Sequence, residues 1–156
     1  MLSGIVERLR KSRLSAATVR EILQSALDTK ISRIFLDDQQ LHAVSPVLDD
    51  LGLTFFLSPE KYLFDHDVGK GGFSNGFSAL LPDTSPLGSF MAHLGRDVEA
   101  VLAAREADFS NDDRALGNVL GIPVCCVDAF VLNAESAAAA QNDFTLFACR
   151  STCGQP

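Results

Sequence analysis

No stretch of the chain approaches the ~18 consecutive apolar residues that a membrane-spanning helix needs, and Met1 to Arg8 offers no uninterrupted apolar segment behind a positive start. These absences predict a soluble, cytoplasmic protein with no membrane partner. Positive charge is also scarce: 13 Lys and Arg face 20 Asp and Glu, a net charge of −7. The summed field repels phosphate backbones, so nucleic acid is not an expected partner. The basic cluster Arg8, Arg10, Lys11, Arg13 and Arg20 reads as a solvated helix face. Internal repeats and linker-like stretches are absent as well. A chain of 156 residues, 47% hydrophobic and 21% charged, is large enough to bury one core without disulfides and too apolar for a disordered polymer.

What is present reads as an α/β chain, with α+β as the other arrangement, in a single domain. Over residues 1–30, Ile5, Val6, Leu9 and then Val19, Ile22, Leu23, Ala26, Leu27 recur at helical spacing, with Ser15 as a cap between two helices. The stretch 31–94 predicts a small central sheet of about four strands, because short runs at Ile31 to Leu36, Leu53 to Leu57, Phe77 to Leu81 and Ser89 to Leu94 are rich in β-branched and aromatic residues. Between the first two lies Gln39 to Leu51, whose Leu41, Val44, Val47 and Leu48 share a helical face despite Pro46. Strand, helix, strand suggests a parallel pair joined by a right-handed crossover. Ser58-Pro59-Glu60 predicts a short helix through Tyr62, with Pro at its first position. The stretch 95–156 reads as helical: Asp97 to Phe109, then Arg114 to Leu120 after a capping-box-like Ser110-Asn111-Asp112-Asp113 entry, then a helix from Val124 or Cys125 towards Ala137 to Ala140.

Chemistry concentrates in that last part. All four cysteines, Cys125, Cys126, Cys149 and Cys153, lie there in the pattern Cys-Cys-x22-Cys-x3-Cys. Scattered buried cysteines are the ordinary alternative, but two close pairs in a reducing compartment point to metal ligands or redox catalysts. Cys125 and Cys126 follow Gly121-Ile122-Pro123 at the expected first turn of a helix, where N–H groups and the macrodipole favour an anion such as a thiolate. Zinc sites usually space paired ligands by two to four residues, and adjacent cysteines strain to reach one tetrahedral ion. Neighbouring thiolates can reach different irons, which favours an iron–sulfur cluster over Zn.

The run Leu120-Gly121-Ile122-Pro123-Val124-Cys125-Cys126-Val127-Asp128-Ala129-Phe130, preceded by Gly117 and followed by Cys149-Arg150-Ser151-Thr152-Cys153, resembles the L-G-x-P-x-C-C-V-x-x-F and C-S-x-x-C signature of an uncharacterised prokaryotic family, a domain of unknown function. The resemblance spans about residues 95 to 153. The family pattern has Pro before the third cysteine and Ser after it, where this chain has Ala148 and Arg150. The resemblance bears more closely on the first cysteine pair than on the second and implies no particular reaction.

Other reactive residues are few. The loop Asp65 to Gly76 holds four glycines and Lys70 but lacks the Walker spacing, so it reads as a segment that shapes or covers a site. His66, between Asp65 and Asp67, is one acid/base candidate and His93 a second, with Arg96 a fork for a carboxylate or phosphate. Three function classes follow: an iron–sulfur enzyme or enzyme component acting on a small sulfur-containing or anionic substrate, a structural zinc interaction module, and a thiol-redox or sulfur-carrier protein. A protein partner or homodimer is compatible with each.

Overall fold

The computed structural model describes residues 2–28, 30–64, 77–129 and 131–132. Helices α1 (Leu2–Lys11) and α2 (Ala16–Leu27) form the N-terminal pair, and Ser15 caps α2 by accepting the Thr18 N–H at 3.1 Å. Strand β1 (Ser32–Leu36) leads through Asp37 into α3 (Asp38–Asp50). There the Asp37 carboxylate takes the Gln40 N–H at 2.8 Å, and the Gln40 side chain takes the Asp37 N–H at 3.1 Å, a complete capping box. Strands β2 (Thr54–Phe64), β3 (Phe77–Pro82) and β4 (Ser89–Gly95) complete the sheet, and α4 (Val98–Phe109) and α5 (Asp113–Val119) follow. Residues 124–129 and 131–132 are helical again.

The expected mix of helices around a four-stranded sheet is observed, but its wiring differs from the expected parallel pair. The order is β1-β4-β2-β3 and every hydrogen-bonded pair is antiparallel. Strands β1 and β2 do run parallel to each other, with β4 inserted between them. The reason is burial: from Met91 to Gly95 every residue of β4 is buried, so it suits the centre, where both faces are covered. Strand β1 alternates between buried and more exposed residues and fits an edge.

A second correction concerns Ser58-Pro59-Glu60, expected to open a helix and found inside β2. The ladder with β4 breaks between Leu57 and Lys61, which is where Pro59, lacking an N–H, can sit in a strand. Ser58 fills the gap. Its buried hydroxyl accepts the Met91 N–H at 3.0 Å and donates to the Glu60 carbonyl at 2.5 Å. A side-chain partner thus replaced the lost ladder bond, a tertiary contact that a local helix-start signal could not anticipate.

Alternation sorts the sheet's two faces. Ile34, Leu36, Ala92 and Leu94 pack with Leu9, Ile22, Val44, Val47 and Leu48 of the first three helices. The other face meets α4 and α5 through Ile31, Phe56, Val101, Ala104 and Leu116. Lys61 is 1% exposed, its ammonium held by Asp38 at 2.7 Å and the Ser85 carbonyl at 2.5 Å, with the Phe90 ring 4.9 Å away. Among the described residues no helix is long and apolar enough to cross a membrane.

Ser58→Ala leaves two backbone groups near the bulge without their partner. Urea denaturation should show a loss of roughly 1–3 kcal/mol, with the slope unchanged.

Candidate functional site

The first cysteine pair owes its position to how α5 ends. Gly121, at φ +71°, takes the left-handed conformation that glycine enters without a Cβ penalty. Its N–H donates to the Asn118 carbonyl at 3.1 Å and the Ile122 N–H to the Gly117 carbonyl at 2.9 Å, the two bonds of a Schellman stop. The Pro123 carbonyl then accepts the Cys126 N–H at 2.9 Å and the Val127 N–H at 3.1 Å, so the next helix begins here, as the Gly-x-Pro break predicts. Cys125 and Cys126 fall in its first turn, both half-buried.

Two contacts fasten this turn to α5. Val127 is buried against Gly117 so closely that a Cβ on residue 117 would lie 2.5 Å from Val127 Cγ2. The Arg114 guanidinium also pairs with the Asp128 carboxylate. Between the two segments lies a shallow cavity of about 400 Å³ whose lining includes Ala115, Asn118, Ile122, Val124 and Val127. Among the described residues no group of three or more His, Cys, Asp or Glu side chains is gathered to hold a metal. Cys149, Cys153, His66, the glycine loop and the part of the expected helix beyond residue 132 lie outside the described residues.

Of the remaining candidates, His93 is fully buried in the layer between the sheet and α4. Its Nε2 lies 2.7 Å from Asp108 Oδ2, and Arg33 Nη1 reaches both oxygens of that carboxylate at 2.9 and 3.0 Å. Burial pushes the Asp108 carboxyl up, but the His93 hydrogen bond and the Arg33 charge outweigh it and hold the group below its ordinary value. Tyr62 is pushed up, first by burial and then by the charges of Asp108 and Glu60, with Arg33 opposing. Arg96 follows β4 and its Nε donates to the Ala26 carbonyl at 2.7 Å, near the C-terminal end of α2. His93 and Arg96 therefore serve opposite layers of the sheet and do not converge.

No family model, curated protein or solved structure matches this chain.

Sequence reasoning missed the partners of His93. Arg33 and Asp108 are 75 positions apart and unremarkable in their own segments, and only the pairing of β1 with β4 and the docking of α4 brings them together. A second open cavity, about 430 Å³, lies between the start of α3, the end of β2 and the turn before β4, lined in part by Asp37, Asp38, Tyr62, Phe64 and Gly88.

Gly117→Ala should cost roughly 1–3 kcal/mol through overpacking against Val127, and Val127→Ala in the same chain should recover part of it. A double-mutant cycle by thermal melting reads this directly. Asp108→Asn should cost roughly 1–3 kcal/mol near neutral pH, because it weakens two charge-assisted bonds. Since the folded Asp108 carboxyl is held low, its contribution is complete above the ordinary carboxyl value of about 4 and disappears as pH falls through the folded value. A stability-against-pH curve should thus lose part of its acid limb in the variant.

Proposed function

We propose that this chain is a cytoplasmic metal–thiolate protein in which Cys125, Cys126, Cys149 and Cys153 hold one iron–sulfur centre. It serves as an enzyme or enzyme component for a small sulfur-containing or anionic substrate. The observation that supports this most is the helical placement of the first pair. Consecutive residues on a helix project about 100° apart, so the two sulfurs do not converge on one small ion. Sulfurs that diverge suit a cluster, whose irons are separate acceptors, better than the four corners around a single zinc.

The surroundings fit a thiolate-held group. The thiols are half-buried, and the helix they open presents its N-terminal end to them, where negative charge is favoured. Such a centre, when bound, supplies electron transfer or an iron that polarises a substrate. The chain's own part is to hold the thiolates and to keep their turn rigid through Gly117, Val127 and the Arg114–Asp128 pair.

Iron, sulfide and zinc analysis of anaerobically purified protein, with its visible spectrum, tests the reading. Brown protein containing iron and acid-labile sulfide is expected. Colourless protein with stoichiometric zinc would replace it by a structural zinc module, and metal-free protein with titratable thiols by thiol redox or sulfur carriage. Cys126→Ser and Cys149→Ser should each strip metal and lower the melting temperature, because a site formed only on folding links metal affinity to stability. Unchanged metal and melting in both variants would remove the shared site.

A further inference from the structure

We propose that His93, Asp108 and Arg105 form an acid–base site for a small anion bearing an acidic proton, closed in this structure by the Phe109 ring. The site is separate from the cysteine turn and does not depend on it. Its basis is an imidazole whose two nitrogens are treated very differently. An ionised carboxylate only accepts, so the neutral tautomer that satisfies Asp108 carries its proton on Nε2 and its lone pair on Nδ1. That Nδ1 is buried and has no hydrogen-bond partner among the described residues. An unmet buried polar atom costs stability, so its persistence calls for an explanation.

The same ring that neighbours His93 also neighbours a second unmet group. Phe109 meets the His93 ring edge-on at 6.2 Å between centroids, and the Arg105 guanidinium lies 4.9 Å from the Phe109 centroid. Arg105 Nε is likewise buried and without a partner among the described residues. The imidazole that carries the one unmet atom and the guanidinium that carries the other thus both contact the Phe109 ring. Phe109 is the last residue of α4 and 38% exposed, a place where a side chain can turn outward without opening the core.

With the ring displaced, the pair matches an anion whose charge meets Arg105 and whose proton faces Nδ1. The proton passes from the ligand to Nδ1, and the electron pair of the broken bond stays on the ligand. The resulting imidazolium keeps its Nε2–H on Asp108, whose carboxylate stabilises the new charge while Arg33 keeps that carboxylate in place. The step needs no co-reactant and reverses by returning the proton.

Two measurements test this. Nitrogen-15 spectra of histidine-labelled protein near neutral pH should show His93 with Nδ1 unprotonated and Nε2 protonated; the opposite tautomer overturns the proposal. Carbethoxylation by diethyl pyrocarbonate, followed at each histidine by mass spectrometry, should be slow at His93 and fast at exposed His42. Phe109→Ala should raise the His93 rate relative to His42 by about tenfold or more, as an open minor state becomes the major one. Phe109→Leu serves if the alanine variant does not fold. Inorganic phosphate should slow His93 modification in the opened protein and lose that effect when Arg105→Gln is added. An opened, folded variant whose His93 stays as unreactive as in the parent shows that Phe109 is no gate. Reactivity that phosphate never changes removes the anion site.

Discussion

The two-residue period of β4 organises the molecule. Because this strand lies between β1 and β2, its successive side chains enter different layers: Ala92 and Leu94 join the core under α1, α2 and α3, while His93 enters the layer under α4. A register slip of one residue would put an imidazole into the aliphatic layer and Ala92 or Leu94 against Asp108. The position of Arg33, paired with His93 across the ladder, follows from the same constraint. So does the bulge at Ser58, whose hydroxyl keeps the Met91 N–H satisfied where the β2 ladder fails.

The cysteine turn depends on a different kind of constraint, a close contact without room for a methyl group. Gly117 lets Val127 approach α5, the Schellman stop at Gly121 sets the exit of the chain, and the Pro123 carbonyl starts the next helix. These features act in order along a dozen residues, so the first pair of thiols is positioned almost entirely by local chemistry. That is also why a motif could point to it. The His93 network is the reverse case: Arg33 belongs to an edge strand, His93 to the central strand and Asp108 to the penultimate residue of a helix.

The two candidate centres therefore rest on different kinds of support. In the cysteine segment, the proposal rests on composition and spacing, together with the position of Cys125 and Cys126 in the first turn of a helix. In the His93 layer, the pattern of residues was mute and the geometry speaks: a carboxylate held low by its neighbours, a buried imidazole nitrogen without a hydrogen-bond partner among the described residues, and a cation beside the Phe109 ring that the imidazole also meets.

By itself the sequence determined what short-range physics controls. Hydrophobic periodicity, the cap at Ser15 and the entry at Asp112 located the helices, β-branched and aromatic runs located most of the strands, and Gly121-Ile122-Pro123 located the break before the cysteines. Tertiary structure alone decided what pairs with what. It inserted β4 between β1 and β2, turned the Ser58-Pro59 helix signal into a bulged strand, and joined Arg33 and Asp108 around His93. Periodicity and capping act within a few residues of chain, whereas strand order and ion pairing depend on burial summed over the whole sheet, which no local window contains.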